Sequence, residues 1–451
     1  MSYQDFLSAK SQDTNYYGFE TDDIAEYLYP FQRHAVKWAL KKGRAALFQD
    51  CGLGKTPQSL AFADATVRKT NGKALVVTPL AVAMQFEQEA EKFGIEARRT
   101  KDGSCPKDVT ITNYERLHHY NPDDFVTVVC DESSCIKNYK GERQKIVKSF
   151  LKKVKYRLLC TATAAPNDFI ELGTSSEVLG EMGMMDMLGM FFKNNEKSLH
   201  PAFIGSKWTF KPHSEDAFWR WVCSWAMALR KPSDIGFSDD GYNLLGLNFN
   251  QHVVNNSDFN NGMLFNLPAV GLNEQKAERR ATTKQRCELA AELCDGRDFS
   301  VLWGHYNHEC DLLEDMLPDS EQVKGSQSDD EKEEILNAFG KGELKQLVIK
   351  PKIGAFGLNW QHCNHMTYFP SHSYEQYYQA VRRLYRFGQK RVVDVDIVMS
   401  DGEKRVYDNL VRKSESVERM FDNLIYNMQK AHKLKAKKYK TQKIELPTWI
   451  A

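Results

Sequence analysis

Short apolar runs punctuate the first third of the chain at 45–48, 74–77, 109–112, 126–130 and 157–160. Runs of this length with few polar interruptions read as strands buried on both faces, as in a parallel sheet covered by helices. Mixed apolar and polar stretches of helical length, such as 82–93 and 143–152, separate several of them. Strand alternating with helix predicts an α/β fold whose working loops lie at the C-terminal ends of the strands. The rhythm returns at 299–303, 346–349, 366–369 and 393–398, so two such sheets are expected in one chain.

Between the two sheets the rhythm stops. From 173 to 240 Met, Phe and Trp accumulate, and a helical insertion is expected there. Phe218, Trp221 and Trp225 share one face at helical spacing. That face reads either as the core of a small helical subdomain or as a wedge stacking on a base pair at a junction. Met182, Met184, Met185, Met187 and Met190 read as packing or as an adaptable contact surface. The Asn-rich stretch 248–266 reads as loop-bearing. A helix from about 418 runs into Lys430, Lys433, Lys435, Lys437, Lys438, Lys440 and Lys443, which either grip phosphates or brace the second core. The resulting plan is an N-terminal extension (1–24), a first domain (25–172), the insertion (173–240), a second domain (241–415) and a C-terminal helix with a basic tail (416–451).

The bulk numbers suit that plan. At 451 residues the chain exceeds one ordinary core. Hydrophobic content of 42% with 27% charged residues is that of a globular enzyme, not of a fibrous or disordered chain. No apolar run approaches a membrane span and the polar start is no signal peptide, so a cytoplasmic protein without membrane contact is expected. Ten cysteines without a C-x-x-C pair suit reduced thiols. With 61 basic residues against 60 acidic, contact with nucleic acid has to come from local patches.

The candidate chemistry begins at Asp50-Cys51-Gly52-Leu53-Gly54-Lys55-Thr56, between an expected strand and an expected helix. Gly52 and Gly54 permit close backbone approach, and amides at the helix start face an anion. Lys55 would meet β/γ-phosphate oxygens and the Thr56 hydroxyl would hold Mg²⁺. The full P-loop pattern has Gly where Gln49 stands. Downstream, the run 126–130 ends in Asp131-Glu132. An acid at that strand tip is placed to hold the Mg²⁺ shell and the next to orient an attacking water, although acids also cap helices.

Further motifs follow in order. They are Tyr29-Pro30-Phe31-Gln32, Thr78-Pro79-Leu80, Ile111-Thr112-Asn113, DESSCIKN from Asp131 to Asn138, and Thr161-Ala162-Thr163. In the second half come 301–306, Gly325-Ser326, Gly354 to Asn359, and Gln379-Ala380-Val381-Arg382-Arg383-Leu384-Tyr385-Arg386-Phe387-Gly388-Gln389. Over roughly 25–410 the chain resembles a superfamily 2 helicase of the Swi/Snf-like group of DNA translocases.

That resemblance implies two tandem RecA-like parallel-sheet domains. It implies ATP and Mg²⁺ as cofactors, with Gln32 reading adenine and Gly52, Leu53, Gly54 and Lys55 cradling phosphates. Thr56 and Asp131 would hold the metal and Glu132 would polarise water. Gln379, Arg383 and Arg386 would complete the site from the other domain. Thr78, Pro79, Thr112, Lys137, Asn138, Gly325, Lys350, Lys352, Gly354 and Asn359 become candidates for contact with the tracked strand. Two departures stand out: Ser133-Ser134 replaces the group's Ala-His, and Pro351 replaces a Thr, with Lys350 and Lys352 beside it.

The expected activity is an ATP-dependent DNA helicase or translocase on branched or duplex DNA, monomeric and similar to phage-encoded relatives in branch migration. Replication or recombination proteins are possible partners. Alternatives are a non-unwinding translocase of a restriction or defence system, and an ATP-gated DNA clamp. His305, His308 and Cys310, with His362, Cys363 and His365, match no standard zinc spacing.

Overall fold

The computed structural model describes residues 16–195, 208–254, 278–354 and 359–438. The first sheet contains β1 (Arg44–Gln49), β2 (Ala74–Thr78), β3 (Ala97–Arg99), β4 (Val109–Asn113), β5 (Thr127–Asp131), β6 (Tyr156–Thr161) and β9 (Ala226–Leu229). Its order is β3-β4-β2-β5-β6-β1-β9, and every pairing is parallel. The central strands bury almost every residue, so the hydrophobic effect leaves no alternation for them to show.

Register places the chemistry. Phe48 of β1 pairs with Thr161 of β6, and Asp131 of β5 pairs with Cys160. The P-loop and the acidic tip therefore leave the same sheet edge, separated only by β6.

The second sheet has β10 (Leu247–Val254), β11 (Ser300–Trp303), β12 (Ser320–Val323), β13 (Gln346–Ile349), β14 (His365–Tyr368) and β15 (Val393–Ser400). Their order is β10-β15-β14-β11-β13-β12, again parallel throughout. Two α/β domains are thus present, as the hydrophobic rhythm predicts.

The segment 173–240, expected as a helical insertion, is helical only in part. Helices Glu171–Leu179, Met184–Phe191 and Glu215–Trp225 flank a small antiparallel hairpin, β7 (Phe192–Asn194) with β8 (Trp208–Phe210). The chain then enters β9, which adds to the first sheet beside β1, Ala46 opposite Ala226. The apolar residues after Trp225 extend the helical pattern by eye, but full burial on a sheet edge makes them a strand. Phe218 (0% exposed), Trp221 (5%) and Trp225 (1%) are core, and Trp225 meets Phe48 of β1 edge-on. No ring of that face is available to a base. Met184 and Met187 are buried, whereas Met185 and Met190 lie exposed.

Two further differences concern polar stretches. Leu247–Val254 is a strand, not a loop, because its asparagines bond across to β15: Asn248 to Asp394 (2.9 Å) and Asn250 to Asp396 (3.0 Å). The remainder of that Asn-rich stretch, 255–266, lies outside the described residues. The C-terminal helix spans Lys404–Lys438, starting well before 418. It crosses back to the first domain, where Arg230 pairs with Glu418 and Asp422 and Met428 enters the first core. The helix therefore braces the first sheet as well. The basic side chains beyond Lys430 lie outside the described residues.

Candidate active site

The P-loop is shaped by its own sequence. Gly52 and Gly54 have left-handed φ of +88° and +76°. A side chain at Gly52 would sit 2.8 Å from the Phe387 amide nitrogen, and one at Gly54 would collide with the Gln32 amide. Helix α1 (Lys55–Thr70) starts immediately afterwards, so its unsatisfied amides face the same space as Lys55 and Thr56. The Lys55 ammonium donates to the carbonyls of Gln49 (2.9 Å) and Asp50 (3.2 Å).

Gln49 explains the missing glycine. It is fully buried, and its amide exchanges reciprocal hydrogen bonds with Gln58 on α1 at 2.8 and 2.7 Å. Gln58 also donates to the carbonyls of Leu53 and Gly54, both at 3.0 Å. The loop is tied to its helix by side-chain amides, and the first position of the pattern is buried away from the pocket that Lys55 and Thr56 line. Gln32 joins the same scaffold, donating to the Leu53 carbonyl (3.0 Å) and accepting from the Tyr29 amide (2.9 Å).

Asp131 and Glu132 follow β5. Asp131 accepts from the Thr78 hydroxyl at 3.3 Å, and the Tyr114 hydroxyl holds the Asp131 carbonyl at 2.7 Å. Glu132 has a left-handed backbone, φ 50° and ψ 51°, a conformation that costs energy for a side chain of this size. Burial holds both carboxyls above the usual carboxylate range, with the Lys55 ammonium pulling the other way. A proton must leave this pair before it can hold a cation or accept from water. The value of kcat/KM for ATP is therefore expected to rise as the pH passes through about 6 to about 7. A profile flat over that range would place the pair outside the catalytic step.

The second domain closes the pocket through helix α2 (Tyr374–Leu384) and the turn after it. Gln379 donates to Glu132 at 2.7 Å, and Arg383 donates to Gln379 at 3.1 Å. Arg383 is buried and Arg386 half-buried in the pocket wall with Lys55, Thr56, Asp131 and Glu132. Burial first, then neighbouring Arg386, pushes the Arg383 guanidinium down to about 10, still charged at neutral pH. Two guanidinium groups forced into one small space mark a place built for a polyanion. Lysine, hydroxyl, carboxylate and helix amides on the opposite wall fit a magnesium nucleotide triphosphate.

The nucleic-acid candidates separate into groups. A second cleft of about 420 Å³ between the domains is lined by Pro79 and Thr112 from one side and Lys352 from the other. Arg99, Lys101, Arg116 and Lys332 give it basic character. Thr78 differs from the expectation: it is 0% exposed and bonded to Asp131, behind the acidic strand tip and out of reach of a strand. Gly354 packs its backbone against Ile349 and Trp303 with no room for a Cβ. Asn359 is exposed and lines the phosphate pocket instead. Lys137 forms an ion pair with Glu375 across the domains, and Lys350 bonds Asn307. Asn138 is exposed, and Gly325 has open space around it. Among the described residues no group of three or more His, Cys, Asp or Glu side chains could hold a metal ion. Nor is any described helix long and apolar enough to cross a membrane.

Residues 31–180 match the SNF2-related domain, and residues 298–388 match the helicase conserved C-terminal domain. The chain belongs to the Swi/Snf-like helicases. It is similar to the mouse "DNA annealing helicase and endonuclease ZRANB3", 28% identical over 166 residues, which are 33% of this chain and 15% of that protein. It is also similar to the Bos taurus "SWI/SNF-related matrix-associated actin-dependent regulator of chromatin subfamily A-like protein 1", 33% identical over 163 residues, 34% of this chain and 17% of that one. These Swi/Snf-like relatives are therefore several times longer than the stretch they share with it. A solved structure, "Sulfolobus solfataricus SWI2/SNF2 ATPase core in complex with dsDNA", superposes with a TM-score of 0.43 at 18% identity. It covers 90% of this chain and 96% of that one.

Four residues around the pocket carry no assigned role in the motif reading: Asp50 and Arg382 lie inside quoted motifs, and Gln58 and Tyr378 lie outside them. Tyr378 and Arg382 reach Asp50 from the second domain. One signal for them was present, since 378 and 382 are four apart on the helix that also carries 379 and 383.

Proposed function

We propose that this chain is an ATP-driven motor that tracks double-stranded DNA and remodels or reanneals branched DNA. One observation carries the reading. Lys55, Thr56, Asp131 and Glu132 of one sheet share a pocket with Gln379, Arg383 and Arg386 of the other, and a separate basic cleft spans the same two domains. ATP can then be hydrolysed only in the closed arrangement, and closing and reopening shift two DNA-contacting surfaces relative to each other. Thr56 and Asp131 are the groups that would hold Mg²⁺, whose charge would offset that of the phosphates. The ZRANB3 relative is called a DNA annealing helicase, which supports the reannealing part of the reading.

The buried aromatic face favours translocation over strand separation, because Phe218, Trp221 and Trp225 cannot serve as a wedge. The test is steady-state ATPase rate with no nucleic acid, single-stranded DNA, plain duplex, fork, four-way junction and RNA. Stimulation by forks and junctions above plain duplex is the expected result. Equal stimulation by plain duplex would reduce the activity to translocation alone, and stimulation by RNA would overturn the DNA reading.

A further inference from the structure

Helix α2 presents two parallel rungs to the first domain. Gln379 and Arg383 form the inner rung, which reaches Glu132 and the phosphate pocket. Tyr378 and Arg382 form the outer rung, and both end on the Asp50 carboxylate. Arg382 donates to Oδ2 at 2.7 Å, and the Tyr378 hydroxyl donates to Oδ1. The Cys51 amide also donates to Oδ1, at 2.6 Å, so the carboxylate is held by both domains.

We infer that Asp50, Arg382 and Tyr378 form a nucleotide-independent latch that sets the resting closure of the two domains and the depth of the inner rung. None of the three lines the phosphate pocket, so they are positioning residues, not catalytic ones. The pair is enclosed, with side chains only 17% and 13% exposed, and solvent does little to weaken it. The Arg382 guanidinium lies between the rings of Tyr378 (5.2 Å) and Tyr385 (5.3 Å), which fixes its direction before any partner arrives. Asp50 is equally fixed, because its amide donates to the Leu229 carbonyl of β9 at 2.9 Å. A rigid anion on the edge of one sheet thus meets a rigid cation on a helix of the other. Since residues 378 and 379 are neighbours on one helix, seating the outer rung orients the inner one. Glu375, one turn earlier on the same helix, pairs with Lys137 of the first domain as a second strut.

The inference rests on the motor reading for its kinetic consequence but not for its structural one. The full-length protein without nucleotide is labelled on both domains for energy transfer, and the same variants are followed by ATPase kinetics. Arg382→Met and Asp50→Asn are expected to lengthen the interdomain distance. If the closed fraction falls to about a tenth, KM for ATP rises about tenfold. At saturating ATP, kcat of Arg382→Met stays within a few-fold, because ATP drives closure and the inner rung is intact. Tyr378→Phe removes a single hydroxyl and gives a smaller change of the same sign, which guards against misfolding of the charge variants. An unchanged distance in Arg382→Met overturns the latch. So does a collapse of kcat at unchanged distance, which would make Arg382 catalytic. A longer distance in a protein that never hydrolyses ATP would leave the latch standing and remove the motor reading.

Discussion

Replacing Arg386 by alanine is expected to lower kcat by about 10³-fold or more, with ATP binding retained within a few-fold. The half-buried side chain lines the phosphate pocket and comes from the domain that does not carry the P-loop. Arg383, the other guanidinium there, donates to Gln379, which in turn donates to Glu132. Arg383 is thereby tied into the group that would position water, and Arg386 is assigned to the charge developing on the transferring phosphoryl group. Such a contact strengthens only as the transition state forms, so its loss falls on kcat and spares the ground state. Arg386→Lys should recover little, because an ammonium lacks the planar fork of donors. Single-turnover hydrolysis beside equilibrium binding of a fluorescent ATP analogue separates the two quantities. Near-normal kcat in Arg386→Ala would remove the residue from the reaction.

How much of this was legible beforehand depends on which force shapes each element. Buried strands announce themselves, since a run such as 346–349 has one outcome on a covered parallel sheet, and β13 spans Gln346–Ile349. The residues that line the candidate nucleotide pocket were legible because a phosphate would leave few choices: glycines for approach, lysine for charge, acids at a strand tip. Partnership was not legible. Asn248 and Asn250 look like loop residues until Asp394 and Asp396 stand beside them. Lys137 is exposed charge on paper and half of an interdomain pair in space. Arg382 reads as one cation in a basic stretch, yet a partner 332 positions away decides its role. Edge strands such as β9 fail for a related reason, because pairing on one side leaves too short a pattern to outvote the helix preceding it.

Glu132→Gln is expected to lower turnover by about 10² to 10⁴ and to leave the nucleotide pocket intact. The substitution preserves shape, and the Gln379 amide, 2.7 Å from the carboxylate, can still find an oxygen acceptor. What is lost is the capacity to draw a proton from water. Burial disfavours the charged form of this carboxylate, so exchanging it for a neutral amide should not lower thermal stability. A left-handed backbone at this position in a side chain facing the phosphates indicates strain retained for positioning. Ser133-Ser134 bear on the same question, since both hydroxyls are buried behind this acid. If the serines had made hydrolysis vestigial, the unsubstituted protein would already turn over at the rate of Glu132→Gln. Comparing the two with DNA present decides between a motor and an ATP-gated clamp. A fall of two orders of magnitude or more establishes Glu132 as the residue that commits bound ATP to hydrolysis, and equal rates would leave a clamp.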